Sequence, residues 1–283
     1  MQEMKVIALV EEMQDEARSL RRDGRRIGLV PTMGYLHGGH LSLIRLAREQ
    51  SDFVIVSIFV NPTQFAPGED LDSYPRDFER DEELCREEGV DFVFYPCAED
   101  MYFPDSSVYV VEESLSRGLC GRARPTHFRG VCTVVAKLFN IVQPDLAVFG
   151  EKDYQQLAIL RRMVRDLNFP LEIVAGPIVR ETDGLAISSR NTHLDPDERR
   201  QAVCLRRALD LAEHLHAGGE RNAERIIEKM RSQLASVPSA RIDYIELVDA
   251  DTLQPVELVS GRTLVALAVF IGDTRLIDNT VIA

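Results

Sequence analysis

The spacing of apolar residues changes several times along the chain, and each change predicts an element. Val10 to Arg22 reads as a helix that stops at Asp23-Gly24. "RIGLVPT", Arg26 to Thr32, is a short apolar strand. "HLSLIRLAREQ" spaces Leu41, Ile44 and Leu46 as a helix ending near Gln50. "DFVIVSIFV", Asp52 to Val60, is unbroken, apolar and rich in β-branched residues, as in a strand buried on both faces of a parallel sheet. A turn-rich loop, "NPTQFAPGEDLDSYP", leads to a charged helix over roughly Arg76 to Glu88 and a strand in "VDFVFYP". The pattern repeats with a helix from about Arg129 to Val142, a strand "DLAVFG", a helix within "EKDYQQLAILRRMVRDLN" and a strand "LEIVAGP".

Such alternation predicts a parallel sheet with helices on both faces, the doubly wound, Rossmann-like α/β class. It breaks near Arg180. Beyond lie a polar turn region, a long helix over about Pro196 to Ala217 with Asp195 as N-cap, and a helix over about Asn222 to Ser236. Two strands follow, "RIDYIELVD" and "TLVALAVFIG". The expected domains are 1–180, Rossmann-like, and 181–283, smaller and α+β.

Charge narrows the functions. The net charge is −13 over 283 residues, which disfavours bulk binding to nucleic acid or an anionic membrane. The five cysteines are scattered without a CxxC pair and read as reduced thiols of a cytoplasmic protein. The N-terminus is charged throughout, unlike a signal peptide, and no apolar run approaches a membrane span.

"PTMGYLHGGH", Pro31 to His40, joins the first strand to the next helix, at the carboxyl edge where doubly wound sheets bind ligands. Gly34, Gly38 and Gly39 permit close backbone approach, and the helix start favours a phosphate. His37 and His40, three apart, can share one face of the first helical turn and donate to phosphate oxygens. The same residues also suit a plain glycine-rich loop. A metal pair is the weakest reading, because no third ligand or HExxH pattern accompanies them. Gln64 in "NPTQF" lies at a second strand end and suits a hydroxyl or amide partner. In "FGEKDYQQ", Lys152 sits against the dipole of a helix start, which an anion there would explain. In "DGLAISSRN", Ser188, Ser189 and Arg190 could clamp a phosphate.

Together, in this order, these four stretches resemble the pantoate–β-alanine ligase family over essentially the whole chain. His37-Gly38-Gly39-His40 fits the HxGH signature of the wider nucleotidyltransferase superfamily. The resemblance implies two steps. ATP and (R)-pantoate give pantoyl adenylate and pyrophosphate, and β-alanine then takes the acyl group, giving pantothenate and AMP. It implies ATP contacts at Met33, Gly34, Tyr35, Leu36, His37, Gly38, Gly39, His40, Gly150, Glu151, Lys152, Asp153, Val179, Ile187, Ser188, Ser189 and Arg190. Pantoate contacts fall on Gln64 and Gln156, with Gln64 also beside β-alanine, and Arg124 and His127 line the same cavity. His40 matches the proton donor, and His37, Lys152, Ser188, Ser189 and Arg190 complete the catalytic set. Mg²⁺ is expected with ATP, with no protein ligand assigned to it, and a homodimer through the large domain is implied. Two positions depart from the family pattern: Ile187 stands where many members have Met, and Gly38 replaces a larger, often acidic residue. The competing functions are a nucleotidyltransferase acting on a phosphomonoester and a non-catalytic nucleotide sensor. A second phosphate would call for extra cations, and the pair Gln64 and Gln156 argues against it.

Overall fold

The computed structural model describes residues 4–283. In chain order the elements are β1 (Lys5–Ile7), α1 (Val10–Arg22), β2 (Ile27–Thr32), α2 (Gly38–Gln50), β3 (Phe53–Ile58), α3 (Phe78–Glu87), β4 (Phe92–Phe94), α4 (Ala98–Met101) and α5 (Cys120–Ala123). There follow α6 (His127–Val142), β5 (Leu146–Gly150), α7 (Tyr154–Asp166), β6 (Glu172–Gly176), α8 (Pro196–Ala202), α9 (Cys204–Ala217), α10 (Ala223–Leu234), β7 (Ala240–Asp249), β8 (Thr263–Ile271) and β9 (Thr274–Ile282). Two compact units emerge. The first takes residues up to Ser114, Arg124–Glu151 and Gln156–Pro177, and the second Leu115–Ala123, Lys152–Gln155 and Ile178–Ala283.

The first unit is the doubly wound sheet that the alternation predicts. Its six strands are all parallel, in the order β1-β4-β3-β2-β5-β6. The continuous apolar run of β3 is explained by its place between β2 and β4, where it is buried on both faces. Val30, Val54, Val56, Leu146 and Val148 pack with Leu43, Ile44 and Ala47 of α2 and Cys85 of α3 in one core. The chain lays down β2, β3 and β4 in one direction, then returns to place β5 on the other side of β2. The order therefore reverses between β2 and β5, the position where such sheets open a ligand crevice.

The second unit is built on an antiparallel sheet, β7-β8-β9. Residues from α9, α10, β7 and β8 share its core, among them Leu205, Leu209, Ile226, Met230, Leu247 and Leu267. Asp195 caps α8 as expected. Its Oδ1 accepts from the N–H groups of Asp197 (2.7 Å) and Glu198 (2.8 Å), while Glu198 Oε2 accepts from the N–H of Asp195 (3.0 Å).

Besides the short helices α4 and α5, which were not anticipated, three elements differ from the sequence reading. The helix expected over Pro196 to Ala217 is two, interrupted at Val203, whose φ of −60° and ψ of −16° stay close to helical. β1 was not anticipated, because three residues with one inward side chain give no periodicity. β9 was not anticipated either, because the buried Asp278 and Asn279 break its apolar alternation.

Candidate functional site

The loop after β2 is fixed by its own backbone. Thr32 Oγ1 donates to the carbonyl of Ser57 (2.8 Å) and accepts from the N–H of Gly34 (3.1 Å). Gly34 (φ +80°) and Tyr35 (φ +51°) are both left-handed, a turn that glycine allows and tyrosine resists. A Cβ on Gly34 would lie 3.1 Å from both Asp81 Oδ2 and Ile58 Cγ2. Asp81, buried on α3, accepts from the N–H groups of Tyr35 (2.6 Å) and Leu36 (2.7 Å). Burial pushes its carboxyl above the ordinary range, against the pull of those two bonds.

The histidine pair is arranged differently from expectation. His37 stands one residue before α2 as its N-cap, rather than on a helical face shared with His40. Its Nδ1 accepts from the N–H of Gly39 (3.2 Å), so in the neutral ring the proton sits on Nε2. The two rings still meet, stacked with centroids 4.0 Å apart. Gly39 makes room for this, since a Cβ there would lie 3.0 Å from the His37 ring.

The end of β3 comes to the same place. Asn61 caps the 3₁₀ turn Pro62–Gln64 and is 1% exposed. Its Oδ1 accepts from Thr63 N (3.3 Å), Thr63 Oγ1 (3.0 Å) and Tyr102 OH (2.9 Å). Its Nδ2 donates to Gln64 Oε1 and to the Gly130 carbonyl, both at 3.2 Å. Gln64 Nε2 in turn lies 2.8 Å from Met33 Sδ, which joins the "NPTQF" turn to the histidine loop. Two further predicted residues hold the backbone of Gln64: Arg124 Nη2 (3.2 Å) and His127 Nδ1 (2.9 Å) both reach its carbonyl. Arg124 also forms a two-bond pair with Glu69 (2.6 and 2.8 Å). Burial pushes the Glu69 carboxyl up, but the bonds and charge of Arg124 outweigh it and hold the carboxyl below the ordinary range.

Gly150 ends β5 beside Gly176 of β6, and Glu151 opens the 3₁₀ turn that follows. Gln156 lies on α7, and its side chain makes no hydrogen bond among the described residues. Its neighbour Gln155 is structural. Gln155 Nε2 donates to the carbonyls of Leu115 (2.8 Å) and Gly118 (2.9 Å), and its Oε1 accepts from the N–H of Cys120 (3.0 Å).

In the second unit, Lys152 and Asp153 complete that 3₁₀ turn, and the Lys152 carbonyl accepts from Asn279 Nδ2 (2.9 Å). The Lys152 ammonium has no ion pair among the described residues. Val179 and Ile187 face each other across a tight hairpin, with Ile187 N donating to the Val179 carbonyl (3.0 Å) and Gly184 (φ +93°) at its tip. Arg180 anchors the hairpin to β9 through two bonds to Asp278 (2.7 and 2.9 Å). Ser188 caps the next 3₁₀ turn, its Oγ accepting from Arg190 N (3.3 Å), and Ser189 is buried within it.

The structure thus gathers Met33 to His40, Gln64, Arg124 and His127 in the first unit, and Lys152, Val179 and Ile187 to Arg190 in the second. Asn61, Glu69, Asp81 and Gly130 support the first set and were not singled out from sequence. Asn61 stands within "NPTQF", but none of the four carries a local pattern that marks its role. Among the described residues no group of three or more His, Cys, Asp or Glu is placed to hold a metal, and no helix is long and apolar enough to cross a membrane.

Comparison with known proteins locates this arrangement. Residues 5–281 match the family described as Pantoate-beta-alanine ligase. Pantothenate synthetase of Thermotoga petrophila is 57% identical over 279 residues, covering 99% of this chain and 100% of that protein. The Moorella thermoacetica enzyme of the same name is 56% identical over 279 residues, covering 99% of each. Among solved structures, pantothenate synthetase from Thermus thermophilus superposes with a TM-score of 0.93 at 46% identity, over 98% of this chain and 99% of that one. The Francisella tularensis pantoate-beta-alanine ligase, complexed with beta-gamma ATP and beta-alanine, superposes with a TM-score of 0.83 at 33% identity, over 99% and 98%.

Proposed function

Because the chain belongs to the pantoate–β-alanine ligase family, we infer that it condenses (R)-pantoate with β-alanine at the expense of ATP, with its residues divided between two steps. In the first, a pantoate carboxylate oxygen attacks the α-phosphorus of ATP, and the bond to pyrophosphate breaks. In the second, the β-alanine amine attacks the acyl carbon and loses a proton, and AMP leaves. Neither step needs a covalent bond to the protein, so positioning and charge stabilisation carry the rate.

The observation that supports this division most directly is the Gln64–Met33 contact. It sets a neutral, hydroxyl-binding side chain against the loop that ends in two stacked histidines. Gln64 and Gln156 hold pantoate. His37, through Nε2, and His40 donate to phosphate oxygens where charge develops, with His40 as proton donor. The α2 N-terminus, with Gly38 and Gly39, faces phosphate, and Gly150, Glu151 and Asp153 line the nucleotide. Lys152, Ser188, Ser189 and Arg190 supply charge and donors to the phosphates, while Val179 and Ile187 touch the adenosine. Arg124 and His127 act through their grip on the Gln64 carbonyl, since Arg124 is already matched by Glu69.

Mg²⁺ ordinarily binds phosphate oxygens and waters with one or two carboxylates. We therefore read the ion as one carried by ATP, held by its phosphate oxygens and by water. Bound that way, Mg²⁺ would neutralise phosphate charge, with Glu151 and Asp153 the acidic side chains nearest in sequence to the lysine. The family resemblance also supports a cytoplasmic homodimer.

Omission tests the function directly. AMP and pantothenate should appear in equal amounts only when ATP, pantoate and β-alanine are all present. A phosphomonoester that replaces pantoate would instead favour a nucleotidyltransferase.

A further inference from the structure

We propose that Asp81 is a positioning residue for the adenylation step: its carboxylate holds the 33–37 loop in the conformation that aims His37 and His40. The proposal rests on the functional reading above. Asp81 lies on the inner face of α3, 45 residues beyond Leu36, and its side chain is 1% exposed. A buried carboxylate is costly unless several donors compensate it. A packing role alone would be served better by an apolar side chain, as Cys85 serves it one turn along the same helix face.

The loop explains the charge. Two successive left-handed residues, Gly34 and Tyr35, turn consecutive N–H groups toward one point, a concavity that elsewhere binds anions. Here the anion is internal, with one Asp81 oxygen on Tyr35 N and the other on Leu36 N. Tyr35 carries a Cβ and would leave the left-handed region without such a partner. Arg80 adds a second grip, with its guanidinium 5.2 Å from the Tyr35 ring centre and 3.8 Å from Asp81 Oδ1. The residue after Leu36 is His37, whose Nδ1 is committed to Gly39 N and whose ring stacks on His40. A short path thus runs from Asp81 to both imidazoles, through hydrogen bonds to the loop, the chain from Leu36 to His37, and the stacking of His37 on His40.

The test uses the full-length protein with labelled pyrophosphate, ATP, Mg²⁺ and pantoate. Asp81→Asn keeps the volume but sets an NH₂ group against one of the two backbone N–H groups. It should lower the rate of pyrophosphate exchange into ATP by about 10²-fold, the typical cost of a 1 Å misplacement. The KM for pantoate should move less than about threefold, because Gln64, which touches Met33 of this loop, is also held by Asn61, Arg124 and His127 outside it. In a His40→Ala background the same change should cost clearly less than in the wild-type protein, because part of its effect runs through His40 and the rest through His37. Cys85→Ala should leave exchange within about twofold while lowering the melting temperature. Amide hydrogen exchange at Tyr35 and Leu36 should quicken in Asp81→Asn, a readout that stands even if wild-type protein fails to use pantoate. Normal pyrophosphate exchange in folded Asp81→Asn, equal losses with and without His40, or unchanged amide protection would each overturn the proposal.

Discussion

Gly130 gives the sharpest mutational prediction, because the cost can be worked from geometry. It lies in the first turn of α6, in ordinary helical backbone, and the helix crosses directly over the "NPTQF" turn. A Cβ at this position would lie 2.6 Å from Gln64 N and 2.6 Å from Thr63 C, and closer still to the Thr63 carbonyl oxygen. Ordinary contact begins near 3.4 Å, so the backbones must separate by at least roughly 0.8 Å. Helix propensity favours Ala over Gly by about 1 kcal/mol, whereas overpacking costs about 1–3 kcal/mol. We therefore expect Gly130→Ala to be destabilising by about 1 kcal/mol net, a fall of a few degrees in melting temperature. Function should suffer more than stability. The displaced atoms belong to Gln64 and its neighbour, and Asn61 ties the Gly130 carbonyl to the Gln64 side chain. A shift of this size costs up to about 10²-fold in rate. Pantoate-dependent pyrophosphate exchange should fall at least about tenfold, with a raised KM for pantoate and a smaller change for ATP. An unchanged pantoate KM in folded Gly130→Ala would refute the reasoning, by showing that α6 yields without moving Gln64 or that Gln64 does not bind pantoate.

Three other perturbations have defined outcomes. His40→Ala should lower turnover by about 10²–10³-fold while weakening ATP binding far less, as measured by steady-state kinetics and equilibrium binding; near-normal turnover would remove His40 from the chemistry. Asp278→Asn breaks a buried ion pair in which Asp278 is 1% exposed, and should cost about 3 kcal/mol in a thermal melt; a loss under about 1 kcal/mol would show that Arg180 finds water instead. The Glu69 carboxyl is lowered, so its pair with Arg124 is fully present above the ordinary carboxylate range and is lost as pH falls through the lowered value. Acid unfolding followed by circular dichroism should therefore begin at higher pH in Glu69→Gln, and an unshifted curve would assign the pair no part in stability.

How much of this was legible in sequence depends on where the determining interactions lie. The sheet was legible because β2, β3 and β5 are buried by continuous apolar runs, which identify themselves locally. The loop after β2 was legible as an anion site because glycines, histidines and a helix start are adjacent in sequence. The supports of that loop were not. Asp81 is 45 residues from Leu36, and Gly130 is 69 from Asn61, so only folding brings them together. His37 was placed on the helix rather than before it because its capping role depends on Nδ1 meeting Gly39 N, a detail of side-chain rotation. β9 escaped because its inward Asp278 is compensated by Arg180, 98 residues away, and a buried charge reads locally as solvent-facing.

The two-step division of labour is tested most directly by isotope exchange without the second substrate. Given ATP, Mg²⁺ and (R)-pantoate alone, the protein should return labelled pyrophosphate into ATP, because the adenylate forms reversibly before any amine is needed. Leaving out pantoate should abolish the exchange, and adding β-alanine should divert it into net AMP and pantothenate. Pyrophosphate exchange that requires β-alanine, or that proceeds without pantoate, would contradict it.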